Sequence, residues 1–349
     1  MVETSRALQR NREAASRATM ADVAERAGVS VATVSRALAN NPNVASATRQ
    51  RVQRAAEDLA FRRNEVASNL RRGATRNIAV AVPALNHWYS AEVVSGAQTF
   101  LADRDYDTVV AVIDEPGGLR RLFADADPSR SRVDGLVVVD VPIPADALRE
   151  LRRMGVPTAT TGRLVPDVPG VMIDDVAVGR MATAHLLALG HSRIGLIKGE
   201  SRPPFQFDSS ERRYQGFLEA HAQGDLEPAG LEASGNYSLR GGYDAARQLL
   251  GRRGRPPTAL FCMSDRMAVG ALIALREMGL AVPADVSVVG VDGHQLADAY
   301  GLSTVRQPVP AIGATGAELL LECLADPATN RHVVLPADLL IRETTGTPP

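Results

Sequence analysis

The sequence predicts a small all-α helix-turn-helix domain followed by an α/β body of two lobes, each built on a parallel, Rossmann-like sheet. Three observations carry that expectation. Residues 1–76 hold fourteen arginines against seven acidic residues, a surplus of seven positive charges, while the remainder carries eight more acids than bases, leaving a net charge of −1. Within the basic head, short helical patterns are separated by one glycine. From Ile78 onward, short apolar runs alternate with helical stretches, which is the rhythm of parallel α/β structure. At 349 residues the chain exceeds one ordinary domain.

Composition removes several function classes. A hydrophobic content of 45% is that of a globular protein, and no stretch approaches the ~20 apolar residues of a membrane span. The first eighteen residues, MVETSRALQRNREAASRA, are polar and lack the apolar core of a signal peptide. The expected location is therefore the cytoplasm, in association with the nucleoid, with no membrane partner. Cys262 and Cys323 lie far apart without ligand spacing, so neither a disulfide nor a metal site is expected. No G-x-S-x-G elbow and no phosphate-binding glycine loop occurs, so no catalytic residue, enzyme activity or cofactor is expected. A basic head on an acidic body points to a polyanionic partner for the head alone.

The head reads in order. Thr19 opens T-M-A-D, close to a capping box, and Val23, Ala24 and Ala27 then share one helical face. Gly28 stands where a left-handed residue ends a helix. Ser30 is expected to cap a second helix starting two residues later, with Val34 and Leu38 inward and Val31, Ala32, Thr33, Ser35 and Arg36 on the opposite face. Asn40-Asn41-Pro42-Asn43 breaks the chain, and a third helix near 46–60 turns Val52, Ala56 and Leu59 inward. Two short helices around a glycine turn make a helix-turn-helix, whose second helix enters the major groove. Short side chains at 31–33 let the helix approach base edges. Val31 and Ala32 offer apolar contact, and Arg36 can reach guanine bidentately or meet a phosphate. The hydroxyls of Ser30, Thr33 and Ser35 suit phosphates, and Asn43 and Thr48 complete the DNA-facing set. An ordinary three-helix packing unit would show the same apolar faces; the charge surplus in the same segment favours DNA.

In the body, IAVAVPAL, DTVVAVI, GLVVVDV and PTATT read as buried strands, with helices between them at 91–103 and 145–154. After residue 175 the rhythm repeats in RIGLIKG, ALFCMSD and VSVVGVDG. Two such lobes bind small molecules in the cleft at the carboxyl ends of their strands.

The segment TMADVAERAGVSVATVSRALANNPNVASATRQRV resembles the amino-terminal domain of the LacI/GalR family of transcriptional regulators, through D-V-A-x-x-A-G-V-S-x-x-T-V-S-R. The resemblance runs over residues 19–346 and includes TALFCMSDRMAVGALIALREMGLAVPADVSVVGVDG, STVRQP and the closing LPADLLIRETTG. It implies that positions 31, 32 and 36 carry most base readout. It also implies that NEVASNLRRG, residues 64–73, is a hinge that folds on DNA, with Leu70 wedged between base pairs in the minor groove and Ala67 packed on a partner hinge. Asn64 and Arg71 join the DNA contacts, and Arg71 and Arg72 meet phosphates. Two departures stand in this part: Arg63 replaces a common proline, and Ala45 replaces a common serine, so Ser46 is expected to cap the third helix.

The implied body is periplasmic-binding-protein-like. The domain division is a disordered basic tail at 1–18, the helix-turn-helix domain at 19–63 and the hinge helix and linker at 64–76. The N-terminal lobe takes 77–175 plus 306–335, and the C-terminal lobe 176–305 plus 336–349. His87, Tyr89, Phe207, Glu211, Tyr237, Ser264 and Asp292 are implied to face a small polar effector of carbohydrate type, Trp88 shares the loop of His87 and Tyr89, and Asp265 is expected to cap a helix. Gly162 stands where an aspartate is usual and Glu211 where sugar-binding members carry arginine; Arg212 and Arg213 are expected to point elsewhere. The implied protein is a homodimeric repressor, read against a roughly palindromic operator. A solute-binding protein would lack the basic head, and a regulator answering to another protein would not need the cleft.

Overall fold

A computed structural model describes residues 18–38, 41–61, 75–113, 115, 118–119, 133–199 and 208–349. The chain separates into two compact units, Met1–Thr75 and Arg76–Pro349.

The first unit contains α1 (Met20–Ala27), α2 (Val31–Leu38) and α3 (Ser46–Asp58). Helices of eight residues are marginal alone, so their stability comes from packing. Val23, Ala24, Ala27, Val34, Ala37, Val52, Ala55 and Ala56 form one buried cluster. The capping box at Thr19 is complete: its hydroxyl accepts from the Asp22 amide and the Asp22 carboxylate accepts from the Thr19 amide. Gly28 closes α1 at φ 63°, a conformation that costs other residues a steric penalty. Three details differ from the sequence reading. Ser30 directly precedes α2, its Oγ accepting from the Thr33 amide at 3.2 Å, so the helix starts one residue earlier than expected. The inward pair is Val34 and Ala37, with Leu38 half-buried beside them. Ser46 is the first residue of α3 and not its cap; the cap is Ala45, which has no side-chain oxygen to offer.

The second unit carries two six-stranded sheets. The first has the order β11-β5-β4-β3-β1-β2, with β1 (Asn77–Val82), β2 (Asp107–Val112), β3 (Gly135–Val139), β4 (Thr158–Thr161), β5 (Gly170–Ile173) and β11 (His332–Leu335), all parallel. The second runs β12-β10-β9-β8-β6-β7, with β6 (Ile194–Lys198), β7 (Glu232–Ser234), β8 (Ala259–Cys262), β9 (Ser287–Asp292), β10 (Ser303–Arg306) and β12 (Asp338–Leu340). Only β12, against β10, is antiparallel among these described pairings. The chain passes from one sheet to the other after β5, after β10 and between β11 and β12. Helices α4 (Trp88–Ala102), α5 (Ala145–Arg153) and α11 (Val309–Ala325) belong with the first sheet. Helices α6 (Asp175–Ala188), α7 (Asp208–Gln223), α8 (Leu239–Leu250), α9 (Asp265–Glu277) and the short α10 (Gln295–Ala299) belong with the second.

Central strands β1, β3, β8 and β9 are mostly apolar because both faces are buried, and β4, three of whose four residues are threonine, is buried as well. DTVVAVI, expected as a buried strand, forms the edge strand β2, paired with β1 alone among the described strands, and Val109, Val110 and Val112 are each more than a third exposed. An apolar run marks a strand but not its rank in the sheet. Helices α6 and α7 touch backbone to backbone: a Cβ on Gly179 would lie 2.1 Å from the Arg213 carbonyl, and one on Gly216 would lie 2.0 Å from that of Val176. This close contact holds α6, which starts at Asp175, against α7, which carries Arg213.

Candidate DNA-reading face and effector cleft

On the head, Ser30, Val31, Ala32, Arg36 and Asn43 are exposed, and Thr33, Ser35 and Thr48 are half-buried. The exposed face of α2 is thus the one the sequence assigned to DNA. Its apolar members include Val31, which is 47% exposed. Ser30 and Thr33 hydroxyls bond each other at 2.9 Å, and Arg36 Nε donates to the Ala32 carbonyl at 3.2 Å, which lays the side chain along the helix. Asn41 Oδ1 accepts from the Asn43 amide at 2.9 Å, and Arg49 donates to the Asn41 and Val44 carbonyls, fixing the turn before α3. Asn64, Ala67, Leu70, Arg71 and Arg72 lie outside the described residues.

In the body, a cleft opens at the carboxyl ends of both sheets. His87, Tyr89, Tyr237, Ser264 and Asp292, all assigned from sequence, line it. Phe207 lies outside the described residues. Glu211 does not line the cleft: it sits on the exposed side of α7. The arginine expected to point elsewhere, Arg213, is the one in the cleft. Two residues along a helix turn a side chain by about 200°, which separates the two positions. Arg213 is buried, donates through Nε to Asp175 Oδ1 at 2.8 Å, and donates through a terminal nitrogen to the Met263 carbonyl at 2.6 Å. Burial opposes its charge, and Asp175 and the neighbouring acids outweigh that, so the guanidinium stays protonated.

Asp140, Asp175, Trp88, Ser209, Arg266 and Gln307 also line the cleft and were not assigned from sequence. Asp140 follows β3 at φ 52°, and Gly162, at φ 79°, leaves space against it that a Cβ would enter at 3.3 Å. Burial lifts the Asp140 carboxyl to about 7, with repulsion from Asp175 adding to it. Asp292, at the end of β9, accepts from Gln307 Nε2 at 2.8 Å and from the Asp265 amide at 3.3 Å. Burial, then the charge of Asp265, pushes its carboxyl up as well. The cap of α9 is Ser264, whose hydroxyl accepts from the Met267 amide. Asp265, expected as the cap, instead accepts from Thr304 Oγ1 at 2.7 Å and the His294 amide at 2.8 Å, bracing the loop after β9. Tyr237 bonds Ser209 Oγ at 3.2 Å, and burial raises its phenol and that of Tyr89. His185 and His191 serve structure: His191 bonds Thr258, Ser287 and the Gly346 carbonyl, and His185 bonds Thr345, which ties the carboxyl-terminal segment to the second sheet.

The floor is therefore acidic and hydrogen-bonding, and its walls are aromatic. Such a site accepts bonds from hydroxyl groups and presents flat apolar faces to a ring. Among the described residues no helix is long and apolar enough to cross a membrane.

Residues 19–64 match the family described as bacterial regulatory proteins, lacI family, and residues 183–345 match the periplasmic binding protein-like domain. The HTH-type transcriptional repressor CytR of Escherichia coli (strain K12) is 33% identical over 338 residues, covering 94% of this chain and 96% of the relative. Among solved structures, the lac repressor dimer bound to operator and the anti-inducer ONPF aligns with a TM-score of 0.82 at 28% identity, covering 95% of this chain and 99% of that one. The transcriptional regulator CelR–cellobiose complex aligns at 0.69 and 30% identity, covering 94% and 100%. A head that presents this reading helix, a body of two parallel sheets with a polar cleft, and similarity over the whole of these relatives place the chain in the lacI family of bacterial regulatory proteins.

Proposed function

We propose that this transcriptional regulator binds a roughly palindromic operator as a homodimer and that a sugar in the cleft sets its operator affinity. The observation that carries the effector class is the floor of the cleft: Asp140, Asp292 and the Arg213–Asp175 pair beside the rings of Tyr89 and Tyr237. Carboxylates accept from sugar hydroxyls and aromatic faces cover the apolar side of a pyranose or furanose. The similar lac repressor is bound to an operator and an anti-inducer, and the similar CelR to cellobiose. The names of the relatives describe transcriptional regulators, which supports a regulator over an enzyme.

In this reading Val31, Ala32 and Arg36 contact base edges, while Ser30, Thr33, Ser35, Asn43 and Thr48 set the register on phosphates. Asn64, Ala67, Leu70 and Arg71 form the hinge that enters the minor groove. The lobes follow the expected division of 77–175 with 306–335 and 176–305 with 336–349, except that Asp175 and Arg306, which belong to α6 and β10, go with the second lobe. Effector changes operator affinity only through its different affinity for two lobe arrangements. Such a molecule works at the nucleoid.

A thermal-shift panel of mono- and oligosaccharides on the full-length protein tests this. At least one sugar is expected to raise Tm by mass action, to alter operator affinity, and to lose both effects in Asp292→Ala. A sugar response untouched in Asp292→Ala would remove the cleft from the account.

A further inference from the structure

A second, open concavity adjoins the cleft, sharing His87, Trp88 and Arg266 with it and adding His294. Its chemistry is opposite to that of the floor. Arg266 forms no ion pair or hydrogen bond among the described residues, whereas Arg163 and Arg213 are each locked onto a carboxylate. The Trp88 indole N–H is buried and has no hydrogen-bond partner among the described residues, and its ring lies 4.9 Å from that of His294. Burial, then the charge of Arg266, holds the imidazoles of His87 and His294 below their usual range. Among the described residues no carboxylate lines this basin; Glu92 is the acid that acts on His294.

Among the described residues the Arg266 charge thus has no carboxylate partner at the mouth, while Asp140, Asp292 and the Arg213–Asp175 pair line the cleft. An anion on the floor would face the carboxyls of Asp140 and Asp292, the Arg213 guanidinium there being already paired with Asp175. At the mouth it would meet the Arg266 guanidinium and two imidazoles beside the Trp88 ring. Resting on the reading of the cleft as a sugar site, we propose that the effector is an acidic sugar, bound with its hydroxyls on the floor and its oxyanion in the basin of Arg266, His87, His294 and Trp88. A guanidinium is suited to both phosphate and carboxylate oxygens, so the oxyanion is the shared chemistry.

Trp88 is the chain's one tryptophan, so emission from the full-length protein reports on this basin. Inorganic phosphate, acetate and cellobiose are titrated at constant ionic strength into the wild type and Arg266→Gln. A saturable emission change with phosphate or with acetate, weakened about tenfold in Arg266→Gln at unchanged Tm, is expected, and the anion that gives it names the oxyanion. Absence of a saturable change with either anion, an equal response in Arg266→Gln, or a response to cellobiose alone overturns the proposal. The anion titration needs no sugar on the floor. Anion binding without any sugar-dependent shift in Tm would defeat the sugar reading, and the reverse result would defeat the acidic-sugar proposal alone.

Discussion

The guanidinium of Arg163, just beyond β4 of the first sheet, meets both carboxylate oxygens of Asp208, the first residue of α7 over the second sheet, at 2.8 and 2.9 Å. The pair joins the two lobes beside the cleft. Its members are partly exposed, with side chains 24% and 55% accessible, so water screens much of the attraction. Asp208→Asn is expected to weaken binding of the sugar found by the thermal-shift panel about two- to fivefold, in line with an exposed pair worth up to ~1 kcal/mol. Calorimetric titration checks this; an unchanged affinity means that the bridge does not favour the arrangement that holds effector.

Arg213 and Asp175 are a different case, with side chains 5% and 6% exposed. Removing one member leaves a buried charge without its partner. Arg213→Met should cost about 3–5 kcal/mol in urea unfolding, and Arg213→Met combined with Asp175→Leu should recover most of it. A loss below ~1 kcal/mol in the single variant would show that the pair is solvated.

Asp140 gives the body a pH dependence. Its folded carboxyl titrates at about 7, whereas an unfolded aspartate titrates near ~3.9. Between those values the folded chain keeps a proton that the unfolded chain has released, so stability falls as pH rises through the window. Asp140→Asn is expected to raise Tm at pH 8 and to flatten the decline between pH 5 and pH 8. Melting curves across that range check it, and a slope identical to the wild type's would contradict it.

Thr19 caps α1 through both arms of its box with Asp22. Thr19→Ala should lower the stability of the head by about 1 kcal/mol, read as faster amide exchange in α1 and α2 with the body unaffected. Unchanged exchange would mean that the Val23–Val34–Val52 cluster holds the helix without its cap.

Much of this was legible because local rules and tertiary packing agree. Thr19, Gly28 and the apolar face of Val23, Ala24 and Ala27 each announce α1, and the buried strands announce the sheets. Arg213 was not legible because two adjacent arginines after an acid leave the helix register open, and only contact with α6 settles it. The signal lay three residues on: Gly216 shares the face of Arg213, and a glycine inside a helix marks a close approach. Asp140 had a readable cue, an acid ending the apolar run GLVVV at the carboxyl end of a strand, where ligands bind in such sheets. Trp88 had none beyond its neighbour Tyr89, since its unpaired indole N–H is a property of packing.

The central claim is that α2 presents Val31, Ala32 and Arg36 to base edges of a particular duplex. Selection from random duplex DNA by the full-length protein, followed by affinity measurements at fixed salt, tests it most directly. One enriched, roughly palindromic sequence is expected, with a loss of about 1–3 kcal/mol in Arg36→Ala on that sequence beyond any loss on random DNA. No enriched sequence, or an equal loss on random and selected DNA, would contradict it.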